Sequence, residues 1–477
     1  MMVFSTTGCG TEEINNQAPT ENTRHLIVEG KPFLMLGAQL RTDFFRQLDG
    51  KTADELDPYF SLAAQMNITV VQVPVGWRDI ENQKDQYSDE WVVKLIKLCE
   101  RHNLKLEILW FGTNMCGYSV EGYIPDYVVY NQSVYPRLNF TAYQGWLGLH
   151  FFLKPNTPAL IEREEKAIDK MMEFIGKYDT ANGKKHTVIG IQIQNEPDML
   201  ATRHNSSHGL KQEQLWPDIV KQLNRLGQVV KNATYKCYTR VNLVLDTDYL
   251  QRCKNVAATS GIDYVGLDPY QNRIADIEEK LQQLKSIGGN YAHIAENGGE
   301  FENNDLLTLK ALTMGCGYEI FEVITTPHPD LVDWTLRGVW NPDFTPKPHT
   351  QRIVNAFKIY RKAWVDLASA ETVDILGFNL KQDNGQEQTS ESQQTTHVSV
   401  SWSTTSRGVA FAVEYNGNIT IASTKDDVMK FSNITSSKAE KGYYDMSGRW
   451  VKEESISLHE NTLHMESCAV YRIPITN

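Results

Sequence analysis

The sequence predicts an α/β fold: a single (β/α)8 TIM barrel over residues 25–370, then a small C-terminal antiparallel β-sandwich over residues 371–477, with residues 1–24 outside both. Three observations lead there. Strand-like and helix-like runs alternate eight times between His25 and Ala370, the pattern that a parallel sheet with crossover helices imposes. A chain of 477 residues exceeds what one core holds, while roughly 340 residues suit one barrel with a few long loops. Beyond Ala370 the helical spacing stops, and short alternating runs separated by Gly and Asn take over.

The first barrel strand is the apolar run 33–38, which delivers Gln39-Leu40-Arg41 to its C-terminal end. A helix over 52–66 follows, with Thr52 as its N-cap. The second strand, 69–75, runs out into Gly76-Trp77-Arg78-Asp79-Ile80-Glu81. Apolar residues at helical spacing over 91–102 precede the third strand, 105–110, which ends at Phe111-Gly112-Thr113-Asn114. An irregular stretch, 115–158, carries Tyr118, Tyr123, Tyr127, Tyr130, Tyr135, Phe140, Tyr143 and Trp146. So long a loop usually carries function, and aromatic rings there could stack on sugar faces or form a satellite core that pins the loop.

After a helix over 159–178 comes Val188-Ile189-Gly190-Ile191-Gln192-Ile193-Gln194-Asn195-Glu196-Pro197-Asp198, the fourth strand. Proline has no N–H for the ladder and keeps the residue before it out of the helical region, so the strand stops with Glu196 at its C-terminal mouth. That is the end of a barrel where catalytic side chains sit. Helix 214–232 leads to the fifth strand at 241–245, and the sixth spans 264–270 with Tyr270 at its end. A helix over 274–286 precedes the seventh strand, 291–296, which ends in a second glutamate, Glu296. Helix 305–314, the eighth strand over 317–323 and helix 349–368 close the barrel. Residues 382–396 are polar and low in complexity and read as an exposed loop or a poorly ordered hairpin tip; runs at 398–402, 408–413, 419–421 and 468–473 read as sandwich strands.

A formal charge of −12 argues against a nucleic-acid or anionic-membrane partner. Seven scattered cysteines show neither metal-ligand spacing nor a disulfide framework, and the sequence offers no site for a cofactor or metal. Ser5-Thr6-Thr7-Gly8-Cys9, followed by a polar run to Arg24, resembles the end of a bacterial lipoprotein signal without its charged start and most of its apolar stretch, the alternative being that Cys9 is simply an N-terminal thiol. That resemblance implies a lipid attached at Cys9, a flexible tether, and a place in the periplasm or on the outer-membrane surface of a Gram-negative bacterium.

Strands four and seven lie on opposite sides of a barrel mouth, so Glu196 and Glu296 face each other across it. Two such carboxyls can cleave a glycosidic bond, one giving a proton to the leaving oxygen and the other attacking the anomeric carbon. Asn-Glu ending strand four and Glu ending strand seven resemble clan A of the retaining glycoside hydrolases. The resemblance implies that Glu196 is the acid/base and Glu296 the nucleophile. Gly37-Ala38-Gln39-Leu40-Arg41, the segment Trp77 to Glu81 with Tyr87, and Tyr123-Ile124-Pro125-Asp126-Tyr127-Val128 are similar to segments of the family 35 and 42 β-galactosidases. Arg41, Trp77, Asn114, Asn195, Tyr270 and Trp340 are the candidates around the substrate, Tyr270 being the sixth-strand tyrosine that the likeness implies touches the nucleophile and Arg41 reading as a buried group that holds it anionic. A surface ion pair for Arg41, a strand cap for Asn195 and wall packing for Tyr270 and Trp340 are the plain alternatives.

The chain departs from family 35 in carrying Gln194 where Glu is usual, and Glu300 in Asn297-Gly298-Gly299-Glu300 is a rival nucleophile. The expected activity is exo-acting hydrolysis of a β-linked neutral oligo- or polysaccharide. An endo-acting β-glucanase or mannanase of the same clan and a non-catalytic glycan-binding lipoprotein are the alternatives. Neither the sugar nor the oligomeric state is legible.

Overall fold

The computed structural model describes residues 25–326, 337–379, 391–402 and 407–475. Eight parallel strands close into a barrel in chain order: β1 (Leu36–Gln39), β2 (Val70–Gly76), β3 (Lys105–Met115), β4 (Val188–Asn195), β5 (Tyr238–Val244), β6 (Tyr264–Asp268), β7 (His293–Gly298) and β8 (Gly317–Phe321). Helices cover the outside, so nearly every strand residue is buried, which is why these strands read as continuous apolar runs rather than alternating ones. The helix Glu90–Arg101 shows the complementary pattern: Trp91, Val92, Leu95, Ile96, Leu98 and Cys99 form one buried face against β3 and its neighbours. A hairpin, Leu26–Val28 with Lys31–Phe33, closes the N-terminal end.

The barrel interior is not uniformly apolar. Arg240 of β5 donates through Nε to Glu107 of β3 at 2.7 Å and through Nη2 to Glu319 of β8 at 2.9 Å, and Tyr238 Oη donates to Glu107 at 2.6 Å. All three charged side chains are fully buried. His293 of β7 lies 3.3 Å from Glu319, and burial, with Arg240 nearby, drives its pKa well down, so it is a neutral member of this floor.

The long segment after β3 is structured. Ser119–Val120, Gly148–Phe151 and Tyr143–Gly145 make a three-stranded sheet, with a helical turn at Asp126–Val129. Most of its aromatics pack on one another: Tyr118 stacks on Phe152 at 5.3 Å, and Phe140 meets the same ring at 4.3 Å. Trp146 packs on His150 of the same segment at 4.7 Å and also reaches across to Phe44, in the short helix after β1, at 5.7 Å. One side of the barrel mouth is therefore walled.

Further differences from the sequence reading are local. The expected helix over 349–368 breaks into Thr350–Lys362 and Trp364–Ser369, and a helix at Tyr249–Ala257, not anticipated, follows β5. The C-terminal domain has more strands than expected. Six form one sheet (Ile375–Asn379, Val409–Tyr415, Asn418–Ser423, Val470–Pro474, Lys438–Tyr444, Trp450–Ser457) and four another (Glu391–Gln394, Ser399–Trp402, Asp427–Ser432, Thr462–Met465). Part of the stretch expected as a loop, Glu391–Gln394, is thus an edge strand. The sheets enclose a core in which Phe378 meets Trp402 at 3.8 Å between ring centroids. Asp366 of the last barrel helix, itself buried, accepts from Thr420 and Tyr444 of the sandwich at 2.6 Å each, pinning one domain to the other.

Candidate active site

Glu196 sits where β4 turns sharply. Gln194 and Glu196 have φ of 62° and 44°, left-handed values that β-strand residues avoid, and Pro197 to Leu200 form a single tight turn. Such backbone strain costs on the order of 1–3 kcal/mol per residue and persists only where surroundings enforce it. Here they do. Gln194 Nε2 donates to Glu164 at 2.7 Å and to Thr113 Oγ1 at 3.0 Å, while its Oε1 accepts from the Asn114 N–H at 2.9 Å. Glu164, fully buried, also accepts from Trp110 Nε1, the Thr113 N–H and hydroxyl, and Gln222 Nε2 at 2.9–3.2 Å. Gly112 makes room for it, since a Cβ there would lie 1.8 Å from Glu164 Oε1. On the other side of the turn, the buried pair Asp198–Arg252, 3.1 Å apart, holds the segment down.

Glu296, on β7, is addressed by three donors. Gln39 Nε2 of β1 lies 2.6 Å and Asn242 Nδ2 of β5 3.3 Å from Oε1, and the Tyr270 hydroxyl lies 2.7 Å from Oε2. Asn242 ties the two glutamates together, because its Oδ1 also accepts the Glu196 backbone N–H at 3.2 Å. Both carboxyls are nearly out of water, at 6% and 4% exposure for Glu196 and Glu296.

That burial sets the electrostatics. Desolvation, and then the charge of Glu296, push the Glu196 pKa up to about 8, with a hydrogen bond from the Cys116 thiol pulling the other way. Asp268, at the end of β6, is pushed well up by burial and then by Glu296 and Glu196. Burial and Glu296 likewise keep the Tyr270 phenol protonated, as a donor must be. At neutral pH the mouth therefore presents Glu196 as a carboxylic acid near Glu296, whose oxygens are ringed by donors, the pairing that serves acid catalysis with nucleophilic attack.

The remaining expected residues divide. Asn195 stays at the site, its Oδ1 taking hydrogens from Gln192 at 2.9 Å and Asn242 at 3.0 Å and its Nδ2 near Cys116 Sγ at 3.4 Å. Arg41 is buried but is not on Glu296: its Nε and Nη2 grip Asp43 at 3.1 and 2.8 Å, its Nη2 reaches Tyr123 Oη at 3.3 Å, and Phe44 covers it at 4.1 Å. A carboxylate two residues away captured the guanidinium, and the amide of Gln39 takes the place expected for it. Trp77 is not at the substrate either, since it is fully buried with Nε1 donating to Glu81 at 3.0 Å. Asn114 is buried, its Nδ2 turned to the Pro197 carbonyl at 3.4 Å. Trp340 is half-buried and flanks the strand extension after β8. Glu300 folds back over its own strand, close enough that a Cβ on Gly298 would lie 2.3 Å from it. Cys9 lies outside the described residues.

Gln39, Asn242, Asp268 and Cys116 were not singled out by sequence. Their signal was present as polar residues inside apolar strand runs, such as Asn242 between Val241 and Leu243, where a barrel interior admits a polar group only with a partner. Among the described residues no group of His, Cys, Asp and Glu could hold a metal, and no helix is long and apolar enough to cross a membrane.

A family model described as a domain of unknown function, DUF4978, matches residues 218–386. No curated protein matches the sequence. Solved structures do resemble the fold. A β-galactosidase from the psychrophilic Marinomonas ef1 superposes with a TM-score of 0.51 at 11% identity, over 71% of this chain and 62% of its own. GH5_18 from Bifidobacterium longum subsp. longum gives 0.50 at 14% identity over 69% and 80%. An exo-β-1,4-mannosidase from an Opitutaceae bacterium gives 0.48 at 15% identity over 69% and 60%. This chain thus spans under two thirds of the length of the galactosidase and the mannosidase. At these identities the likeness of the galactosidase and GH5_18 shows a shared barrel fold.

Proposed function

We propose that this protein is a clan A retaining glycoside hydrolase that cleaves β-glycosidic bonds of a neutral glycan by double displacement. The observation that carries the reading is the opposition of Glu196, held as an acid by burial and by its neighbour's charge, to Glu296, whose oxygens meet Gln39, Asn242 and Tyr270. Glu296 attacks the anomeric carbon while Glu196 passes its proton to the leaving oxygen. Ester formation then neutralises Glu296 and removes the charge that raised Glu196, so Glu196, now a carboxylate, can take a proton from water as the water attacks the same carbon. The proton returns to Glu196, the carboxylate to Glu296, and the product keeps its β configuration.

An exo-acting, β-galactosidase-like enzyme is the specific form proposed. The wall that Trp146 and Phe44 build across one side of the mouth favours a pocket over an open cleft. The similar barrel of the β-galactosidase named above supports a β-glycoside substrate. The test is hydrolysis of aryl β-galactoside, β-glucoside, β-mannoside and β-xyloside alongside β-glucan and mannan, comparing wild type with Glu296→Ala. Release from one aryl glycoside, lost in the variant, supports the proposal. Activity on polymers alone points to an endo-acting enzyme, and binding without turnover to a glycan-binding protein.

A further inference from the structure

The proposed reaction uses two of the three carboxyls gathered at the mouth and leaves Asp268 without a task. Asp268 is 3% exposed; its Oδ2 accepts from Asn242 Nδ2 at 2.7 Å, and its Oδ1, also buried, has no partner. A lone carboxylate oxygen in that setting would be costly, whereas a carboxylic acid is far less so. Asn242 is the residue through which Asp268 reaches the chemistry. Its Oδ1 receives the Glu196 N–H, and its Nδ2 faces three oxygens: Asn195 Oδ1 at 3.0 Å, Glu296 Oε1 at 3.3 Å and Asp268 Oδ2, the shortest of the three. An amide that must present its oxygen to one glutamate and its hydrogens to the other is correctly oriented only if something fixes its plane.

We propose that Asp268 is a positioning residue of the reaction, a carboxylic acid that fixes the Asn242 amide between Glu196 and Glu296. The inference rests on the glycosidase reading. Glu296 of β7 and Glu196 after β4 are the carboxyls that face Asp268, Tyr270 and Cys253 lie near it uncharged, and Arg240 of β5 is the cation on its side. Arg240 is already bound to Glu107 and Glu319. Through the catalytic cycle a single negative charge moves from Glu296 to Glu196 and back. Asp268 faces one carboxylate at every stage, and at no stage does its own ionisation relieve a repulsion. It stays an acid and adds no charge to oppose proton transfer from Glu196.

Two substitutions separate this role from simple packing. Asp268→Leu keeps the branched outline, with two bulkier methyls in place of the oxygens, but offers Asn242 no acceptor, while Asp268→Asn offers an acceptor without charge. We expect Leu to lower kcat about hundredfold with KM within about threefold, and Asn to recover at least about tenfold of that loss. Circular dichroism and melting of each variant distinguish unfolding from lost positioning, and the Asn variant keeps the comparison open should Leu not fold. Infrared spectra at near-neutral pH should show, beside the un-ionised Glu196, one further carboxylic-acid carbonyl band in wild type that is missing from Asp268→Asn. Asn as slow as Leu, Leu as fast as wild type, or no lost band would each overturn the proposal. The infrared band is read without substrate, so it tests Asp268 even if no glycoside is turned over, a result that would count against the glycosidase reading instead.

Discussion

Replacing Glu196 by glutamine should make the protein more stable, and by an amount that grows with pH. In the folded chain the carboxyl keeps its proton up to about pH 8, against an ordinary value of 4.5, because burial and Glu296 penalise its charge. The unfolded chain releases that proton near its ordinary value. Between the two, unfolding liberates a proton, so rising pH favours the unfolded state and wild-type stability declines across the window. At about 1.4 kcal/mol per pH unit, the decline attributable to this one group reaches roughly 3 kcal/mol at pH 7 and roughly 5 kcal/mol above pH 8. Glutamine has no proton to lose and resembles the acid form in shape. Urea unfolding of wild type and Glu196→Gln, followed by tryptophan fluorescence from pH 4.5 to 9, should therefore give curves that lie nearest at the acid end and diverge by several kcal/mol at the alkaline end. A constant difference across that range would show that Glu196 ionises normally, and the acid/base assignment would lose its electrostatic basis.

Activity should carry the same signature: kcat/KM should fall as pH rises through about 8, where Glu196 loses the proton it donates, and a pH–rate series checks this. Tyr270→Phe removes the donor 2.7 Å from Glu296 Oε2 and should lower kcat by roughly 10- to 100-fold with the fold intact, as measured by steady-state kinetics and melting. Arg41→Gln strips Asp43 of its buried partner, and chemical denaturation should show a loss of roughly 3–5 kcal/mol. Gly112→Ala forces a Cβ into Glu164, so we expect a destabilisation of at least about 1–3 kcal/mol together with reduced kcat, since the strut that holds Gln194 and Glu196 shifts.

Much of the barrel was legible because its strands, buried on both faces, stand out as apolar runs bounded by turns, and because helices such as Glu90–Arg101 carry one apolar face. The ends of those runs at Glu196 and Glu296 could be read for the same reason. What escaped was set by side-chain pairings that an apolar pattern does not record, even between near neighbours. The pattern does not show that Gln39 rather than Arg41 would reach Glu296, since the choice turns on Asp43 capturing the guanidinium. Trp77 looked available because it follows a strand, but Glu81, one helical turn on, draws its indole inward. The sandwich strands at Lys438–Tyr444 and Trp450–Ser457 are half-exposed and charged, so their alternation is weak and only pairing with neighbouring strands defines them.

The assignment of Glu296 as nucleophile is tested most directly by trapping the glycosyl-enzyme. Wild type would be incubated with the activated 2-fluoro analogue of whichever aryl β-glycoside it cleaves, digested, and its peptides mapped by mass spectrometry. A single sugar adduct on Glu296, absent from Glu296→Ala, is the expected result. An adduct on Glu300 or Glu322, or turnover with no adduct and an inverted product, would contradict it.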